Sequence, residues 1–533
     1  MIHLDFESRS EIDLYACGGF VYAASPTTEV LCVVYAIDDQ EPVLISYDEI
    51  HCGMVEELHV ELFDHIKAGD LVFAHNALFE TLIWNHIMVC RHGWIPIHPG
   101  QWRCTAAKAA SYALPRSLDN CGKALGATHQ KSWKGKNVMM KMCKPRPTWK
   151  KDKSGERWFQ DEADFQRLYV YCKEDVRAER DIDNLLADLT PCEQDIWHLD
   201  QIINQRGVSI DIKAVKSALI LLEQYTQKLH AETLEITNGK IDKVSKRARV
   251  LEWMAEEGVV LENYQQATVQ KAIADGGLPA HVQRILEIRM QINKISTRKY
   301  EAIRNGLCHD NKIRDILVFH GASTGRWTGK LVQMQNLPRG SIKDTETCIE
   351  VMKGRDLGFF ETLYPDVMGA ISSCIRGMFV ATPGYELVVA DYSAIEARVV
   401  LWLANDYKGV GKFERGEDLY VDMAKSIYNK QIITKDERQL GKVAILGCAY
   451  GMGHVKFRMT CKMWGMEISE EIAQKTVKTY RSVYEKVVRL WRHLEEDAIF
   501  AVRYGRKGSW SKEGKFLFMT LPSGRRLCYP NPE

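Results

Sequence analysis

A multidomain α/β fold is predicted by three observations. The chain is 533 residues long, its opening is strand-rich and then turns helical, and mixed strand and helix signals return after about Ile313. At roughly 100–200 residues per domain, three or four domains are expected. Hydrophobic residues at 46% and charged residues at 26% exclude a mainly disordered chain. Lys and Arg number 71 and Asp and Glu 70, a net charge of +1, so a uniformly basic DNA coat is excluded and any nucleic-acid site is a local patch. No apolar run approaches the ~18–20 residues of a bilayer span, and Met1-Ile2-His3-Leu4-Asp5 opens no signal peptide. No membrane partner is expected, and the cytoplasm is the expected compartment. The 15 cysteines, scattered from Cys17 to Cys528 without a CxxC pair, read as reduced thiols rather than a zinc site or disulfide framework.

In chain order, Ile2–Glu7 reads as a strand, and Leu31–Ile37 and Leu71–Ala74 as short buried strands. Asp5 and Glu7, two apart on the first strand, point to one face. Two carboxylates held together repel unless a cation neutralises them, and hard oxygen ligands suit Mg²⁺ or Mn²⁺. Phe73–Glu80 reads as a strand running into a helix whose first turn carries an acid. Tyr171 and Asp175 are four apart, on one face of a helix. Residues 131–158 carry ten Lys and Arg with Trp133, Trp149 and Trp158 interleaved, which suits phosphate attraction with base stacking or, equally, a solvated insertion.

From about Pro191 to Cys308 apolar residues recur at helical spacing, as in Ile196, Leu199, Ile202 and Ile203, and Gly207–Asp211 reads as a tight turn into a strand. Further on, Glu386–Ser393 reads as a buried strand ending in an acid, Asp391, and Ala394–Trp402 as an amphipathic helix. Arg438, Lys442, Leu446 and Tyr450, at steps of four, form one slanting helical stripe before Gly451 and Gly453. Cations at one end and a flat ring at the other match a nucleoside triphosphate or, read alone, a helix with a solvated basic end and a core-facing end.

The Asp5/Glu7 pair, Asn76-x-x-x-Glu80 and Tyr171-x-x-x-Asp175 together resemble the proofreading 3′→5′ exonucleases of the DEDD type. That resemblance implies an RNase-H-like domain in which Asp5, Glu7 and Asp175 hold two Mg²⁺ (or Mn²⁺) ions and Tyr171 orients the attacking water. The family's second motif usually ends in Asp. Glu80, with one more methylene, is expected to reach its metal at longer range or through water. Asp391-Tyr392-Ser393-x-Ile395-Glu396-x-Arg398, followed by Arg438-x-x-x-Lys442 and Tyr450-Gly451, resembles motifs A and B of family A DNA polymerases. Thr324-Gly325-Arg326 and Gln335-Asn336-Leu337-Pro338-Arg339 resemble that family's primer–template contact segment, and Arg376 falls where the family has an arginine before motif A. The likeness covers nearly the whole chain, and a compact exonuclease starting at the second residue looks like a bacteriophage member.

By that resemblance Asp391 ligates both catalytic ions, Glu396 excludes a 2′-hydroxyl, and Arg438 and Lys442 bind the triphosphate of a dNTP, with Lys442 placed to protonate the leaving pyrophosphate. Tyr450 stacks at the insertion site, Arg326, Gln335, Asn336, Arg339 and Arg376 contact primer–template DNA, and Leu446 stands where the family commonly has Phe or Tyr. The implied layout is an exonuclease over 1–186, a helical connection and thumb over 187–312, a partial right-hand palm over 313–405, and fingers with the start of a return to the palm over 406–533.

The family's third motif, His-Asp-Glu, does not occur in this sequence. His309-Asp310 is followed by Asn311 and precedes motif A, and His493–Asp497 lies on a charged helical face. Leu521–Leu527 resembles the segment that follows the fingers. The remaining palm strands and their acid are therefore expected on a separate C-terminal polypeptide, the two together forming a replicative polymerase with proofreading. The alternatives are a stand-alone exonuclease and a DNA-binding subunit with a non-functional polymerase core.

Overall fold

The computed structural model describes residues 1–130, 133–146, 156–293, 297–338 and 340–533, apart from the side chains of residues 133 and 134. Two compact units result, Met1–Leu387 and Val388–Glu533.

The first unit opens with a five-stranded sheet. Its strands are β1 (Ile2–Arg9), β2 (Glu29–Ile37), β3 (Val43–Ile45), β4 (Val72–Ala74) and β5 (Trp102–Cys104), in the order β3-β2-β1-β4-β5. β2 pairs antiparallel with β1 and β3, whereas β4 pairs parallel with β1 and β5, so β2 alone runs against the rest. The two-residue period of β1 divides its side chains. Leu4 and Phe6 enter a core with Trp84 and Trp94, leaving His3, Asp5 and Glu7 for the opposite face. Three helices set the site on this sheet: α1 (Leu78–Ile83), α2 (Trp133–Met142) and the long α3 (Glu162–Leu185). α3 starts at Asp161, whose carboxylate accepts from the Ala163 amide at 2.8 Å. Its apolar stripe, Phe165, Leu168, Cys172 and Val176, packs on Leu31, Cys32, Val34 and Ala36 of β2.

A second core runs from Ile210 to Met378. The expected boundary at residue 312 therefore divides no core. Each amphipathic helix there has one apolar stripe to cover, and helices from both sides of residue 312 cover one another. The expected turn at Gly207 is present at φ +64, and a Cβ there would fall 2.4 Å from the Ile313 carbonyl oxygen, so only glycine fits. It leads into β6 (Val208–Ile210), which lies between β7 (Lys312–Ile313) and β10 (Phe379–Val380). β8 (Leu317–Val318) and β9 (Thr328–Gly329) form a separate antiparallel hairpin. The helix α4 (Pro191–Arg206) forms as expected, but Leu199 and Ile202 point outward while Trp197, Asp200 and Asn204 are buried.

The second unit is a helical cluster with a four-stranded antiparallel sheet, β11 (Arg506–Lys507), β12 (Trp510–Glu513), β13 (Phe516–Thr520) and β14 (Arg526–Pro530). Leu521–Arg525 is the turn between its last two strands, with Gly524 at φ +84. One expectation fails here. Residues 386–393, expected as a buried strand, form no strand and are exposed, Val389 at 91%. An apolar run becomes a buried strand only when neighbouring strands pair with its backbone, and among the described residues none does so. The helix that follows, α5 (Ile395–Leu403), forms as the pattern predicts.

Candidate active sites

The first constellation assembles on β1, α1 and α3. Ligand atoms of Asp5, Glu7 and Cys172 all lie within 4.8 Å of one another. Asp5 and Glu7 meet because they share a strand face. Cys172 joins them because α3 crosses above β1, and its Sγ lies 3.4 Å from Asp5 Oδ2. Burial pushes the Cys172 thiol well up, reinforced by its neighbour Cys32 and by the charges of Asp5 and Glu7. It therefore stays protonated and donates to Asp5. Sequence reasoning passed over Cys172 because it is one of 15 cysteines with no metal-type spacing.

Glu80 reaches the same place by another route. Asn76 adopts the left-handed region at φ +79, a conformation Asn tolerates, and the chain swings from β4 into α1. That puts Glu80 in the first turn of α1, where the helix dipole favours a carboxylate. Its side chain is 3% exposed, and Oε2 has no hydrogen-bond partner. Burial raises the Glu80 carboxyl well above the carboxylate range, and the charges of Asp5, Glu179 and Glu7 raise it further. The buried carboxyl thus feels the charges of Asp5 and Glu7, but it is not among the side chains whose ligand atoms gather with theirs.

Asp175 is buried on α3 one turn after Tyr171, and helical spacing places it between Cys172, which touches Asp5, and Glu179, which touches His3. The His3–Glu179 pair, Nδ1 to Oε2 at 2.6 Å, escaped sequence reasoning, as no local pattern joins residues 176 positions apart. Burial alone would lower the His3 pKa, but the Glu179 carboxylate outweighs it and raises the value. One turn further, Lys108 Nζ donates to Asp183 Oδ1 at 2.7 Å. α3 thus presents Cys172, Asp175, Glu179 and Asp183 in sequence, with Cys172 on Asp5, Glu179 on His3 and Asp183 on Lys108. Tyr171 itself is 2% exposed, and a Cβ on Gly135 of α2 would fall 2.3 Å from its Cδ2, so α2 lies directly over the ring.

The contact segment of the first unit is only partly placed. Arg326 sits in the loop of the β8–β9 hairpin, where Gly325 takes φ +82. Gln335 packs against Gly329, and Asn336 Nδ2 donates to Gln333 Oε1 at 3.1 Å. Arg376 Nη2 donates to the Leu337 carbonyl at 2.8 Å and Nε to that of Pro338 at 3.2 Å, so it holds the segment leading to residue 339. Arg339 lies outside the described residues, as do Trp149 and the side chain of Trp133. Trp158 packs inward instead, its ring 4.9 Å from the Arg9 guanidinium.

The second constellation lies on α5, α6 (Leu419–Tyr428) and α7 (Lys435–Cys448). A Thr434–Glu437 capping box starts α7. Arg438 and Lys442 both approach the Tyr420 ring of α6, at 5.3 and 6.0 Å from its centroid. The Glu396 charge on α5 also reaches Tyr420, whose phenol is raised mainly by burial. Two predicted residues, Arg438 and Lys442, therefore meet at a tyrosine that no motif singled out. Arg438 is held by Asp418, the N-cap of α6, at 2.7 Å. Contact is possible because position 441 is glycine, where a Cβ would fall 2.1 Å from the Tyr420 carbonyl oxygen. The predicted stripe holds through Leu446, but Tyr450 is 67% exposed in the turn beyond the helix, before Gly451 at φ +74. Asp391 is exposed on the irregular run that precedes α5.

A strand-turn-helix acid group and a cationic helix facing a tyrosine are the two candidate sites, and comparison with known proteins supplies the family. A model described as DNA polymerase family A matches residues 222–502. The DNA polymerase of Bacillus phage SP02 is 34% identical over 553 aligned residues, covering 100% of this chain and 82% of that protein. The DNA polymerase of Mycobacterium phage D29 is 27% identical over 184 residues, covering 34% of this chain and 30% of its own length. Among solved structures, the polymerase domain of Pol1 from M. smegmatis, in complex with DNA primer–template and dNTP, superposes with a TM-score of 0.56 at 16% identity, over 98% of this chain and 78% of that one. The chain belongs to DNA polymerase family A.

Proposed function

We propose that this chain is a phage-type replicative polymerase component that trims mispaired 3′ ends in its first unit and grips the incoming dNTP in its second. The observation that carries the first half is the gathering of Asp5 and Glu7, with Cys172, at one point, and the buried Glu80 carboxyl feels both their charges. The strand order β3-β2-β1-β4-β5 with β2 reversed supports an RNase-H-like reading of that unit. Asp5 and Glu7 offer hard carboxylate donors that fit divalent ions, and Glu80, whose buried Oε2 has no hydrogen-bond partner, and Asp175 on α3 would complete the set. Such ions, when bound, acidify the attacking water and spread charge on the phosphate. The protein's own part is to hold the acids rigid, with Cys172 fixing Asp5 by its S–H. Tyr171, one turn before Asp175 on α3, is the residue assigned to orient the attacking water, although α2 covers its ring in this structure.

In the second unit Arg438 and Lys442 take the triphosphate, exchanging Asp418 and the Tyr420 face for phosphate oxygens. Glu396 crowds the sugar, and Tyr450, exposed at the end of the stripe, offers its ring to the new pair. The exposed 385–391 run supports completion by further C-terminal polypeptide strands, which would pair with it and bring a second acid beside Asp391. Asp5→Ala is expected to abolish degradation of a labelled 3′ end and to leave dNTP binding intact. Asp391→Ala is expected to abolish synthesis alone, measured with the completing polypeptide added. Joint loss of both activities in either variant would refute this division.

A further inference from the structure

α4 turns a polar face inward. Asp200 and Asn204 are 2% and 1% exposed, whereas Leu199 and Ile202 on the other side are each 51% exposed. Burying a carboxylate in place of an available leucine is costly unless its bonds are needed. Those bonds run to the β8–β9 hairpin. Asn204 Oδ1 accepts from the Leu317 amide at 2.9 Å, and its Nδ2 donates to the Leu317 carbonyl at 3.1 Å, which fixes the start of the hairpin. At the far side of the loop, Trp327 Nε1 donates to Asp200 Oδ1 at 2.7 Å. Gln201 Nε2 and Asn204 Nδ2 donate to Asp200 Oδ2 at 2.9 and 3.2 Å. The Trp327 ring stands edge-on to Phe319, 5.7 Å between centroids. The Phe319 carbonyl accepts from Arg116 Nη1 at 2.7 Å. Trp327 is the residue next to Arg326.

We propose that Asp200 is a positioning residue for DNA binding: its bond to the Trp327 indole holds the 319–327 loop in the conformation that presents Arg326 to the primer–template. The inference rests on the reading of that loop as a DNA contact. Hydrogen-bonding a carboxylate to an indole at the loop's end fixes the backbone of the neighbouring residue, and preorganising a contact loop improves affinity without adding a contact.

The test is primer–template affinity by fluorescence anisotropy in Ca²⁺, with thermal melting of each variant. Asp200→Ala and Trp327→Phe should each weaken binding about tenfold, the scale of one charge-assisted hydrogen bond. The double variant should lose no more than either single one, and Asp200→Asn, which keeps an acceptor for the indole, should recover most of the affinity. Losses that multiply in the double variant would overturn the proposal. Arg326→Ala separates the two levels. If it weakens binding while Asp200→Ala and Trp327→Phe do not, the positioning role is wrong and the loop reading stands. If Arg326→Ala binds as wild type, the loop reading fails and takes the inference with it. Should Asp200→Ala fail to fold, Trp327→Phe and Asp200→Asn carry the same comparison.

Discussion

At the scale of single residues, Glu80 shows stability and chemistry pulling apart. Its carboxyl is more basic folded than unfolded, because burial and the neighbouring acids oppose ionisation. The folded state therefore binds more protons, and stability falls as pH rises from the ordinary carboxylate range through the folded value. Glu80→Gln removes that penalty. The variant should be more stable than wild type at pH 8 by about 1–2 kcal/mol, the usual scale for relieving a strained active site, and the gap should close toward pH 4. Calorimetry across that range tests the sign, and a larger gap at the acid end would refute it. The same variant should degrade single-stranded DNA more slowly. Its melting temperature should also respond less to Mg²⁺ than that of wild type, since an ion binding only the folded state stabilises by mass action. His3 carries the opposite sign: its raised value favours the fold below the ordinary histidine range and ceases to do so as pH rises through the folded value.

At the scale of elements, the contact of α6 with α7 sets the second site. Gly441 lets the helices close to a distance at which Tyr420 meets Arg438 and Lys442. Gly441→Ala forces them apart and should destabilise the second unit by about 1–3 kcal/mol, the range for overpacked interiors. It should also weaken dNTP binding, read by thermal melting and by nucleotide titration; unchanged values in both would deny the packing argument. α4 gives the converse case. Its spacing predicted a helix, and a helix formed, but periodicity marks two faces without saying which is covered. Leu199 and Ile202 face outward because the bonds of Asp200 and Asn204 to the hairpin claim the inner side.

At the scale of the whole molecule, the chain divides after Leu387, within an irregular exposed run. Chymotrypsin should cut first at Tyr385, Leu387 or Tyr392, which are 79%, 57% and 81% exposed, because exposed irregular backbone is cleaved before packed elements. Two stable fragments should appear on a gel, and initial cleavage elsewhere would contradict the division. Adding strands that pair with 385–391 should protect these bonds. That gives the proposed completion a readout independent of synthesis.

The sequence by itself determined what is local. Alternation placed Asp5 and Glu7 on one face of β1, spacing of four put Tyr171 and Asp175 on one helix, and the strand-to-helix pattern over Phe73–Glu80 put Glu80 in a first helical turn. These follow from backbone geometry, which a few residues dictate. Tertiary structure decided what depends on partners. Cys172 against Asp5, His3 against Glu179, Tyr420 between two cations and Trp327 on Asp200 join residues far apart in the chain, and no local pattern encodes them. The 385–391 run makes the same point in reverse: its residues favour a strand, but a strand exists only where another backbone satisfies its hydrogen bonds.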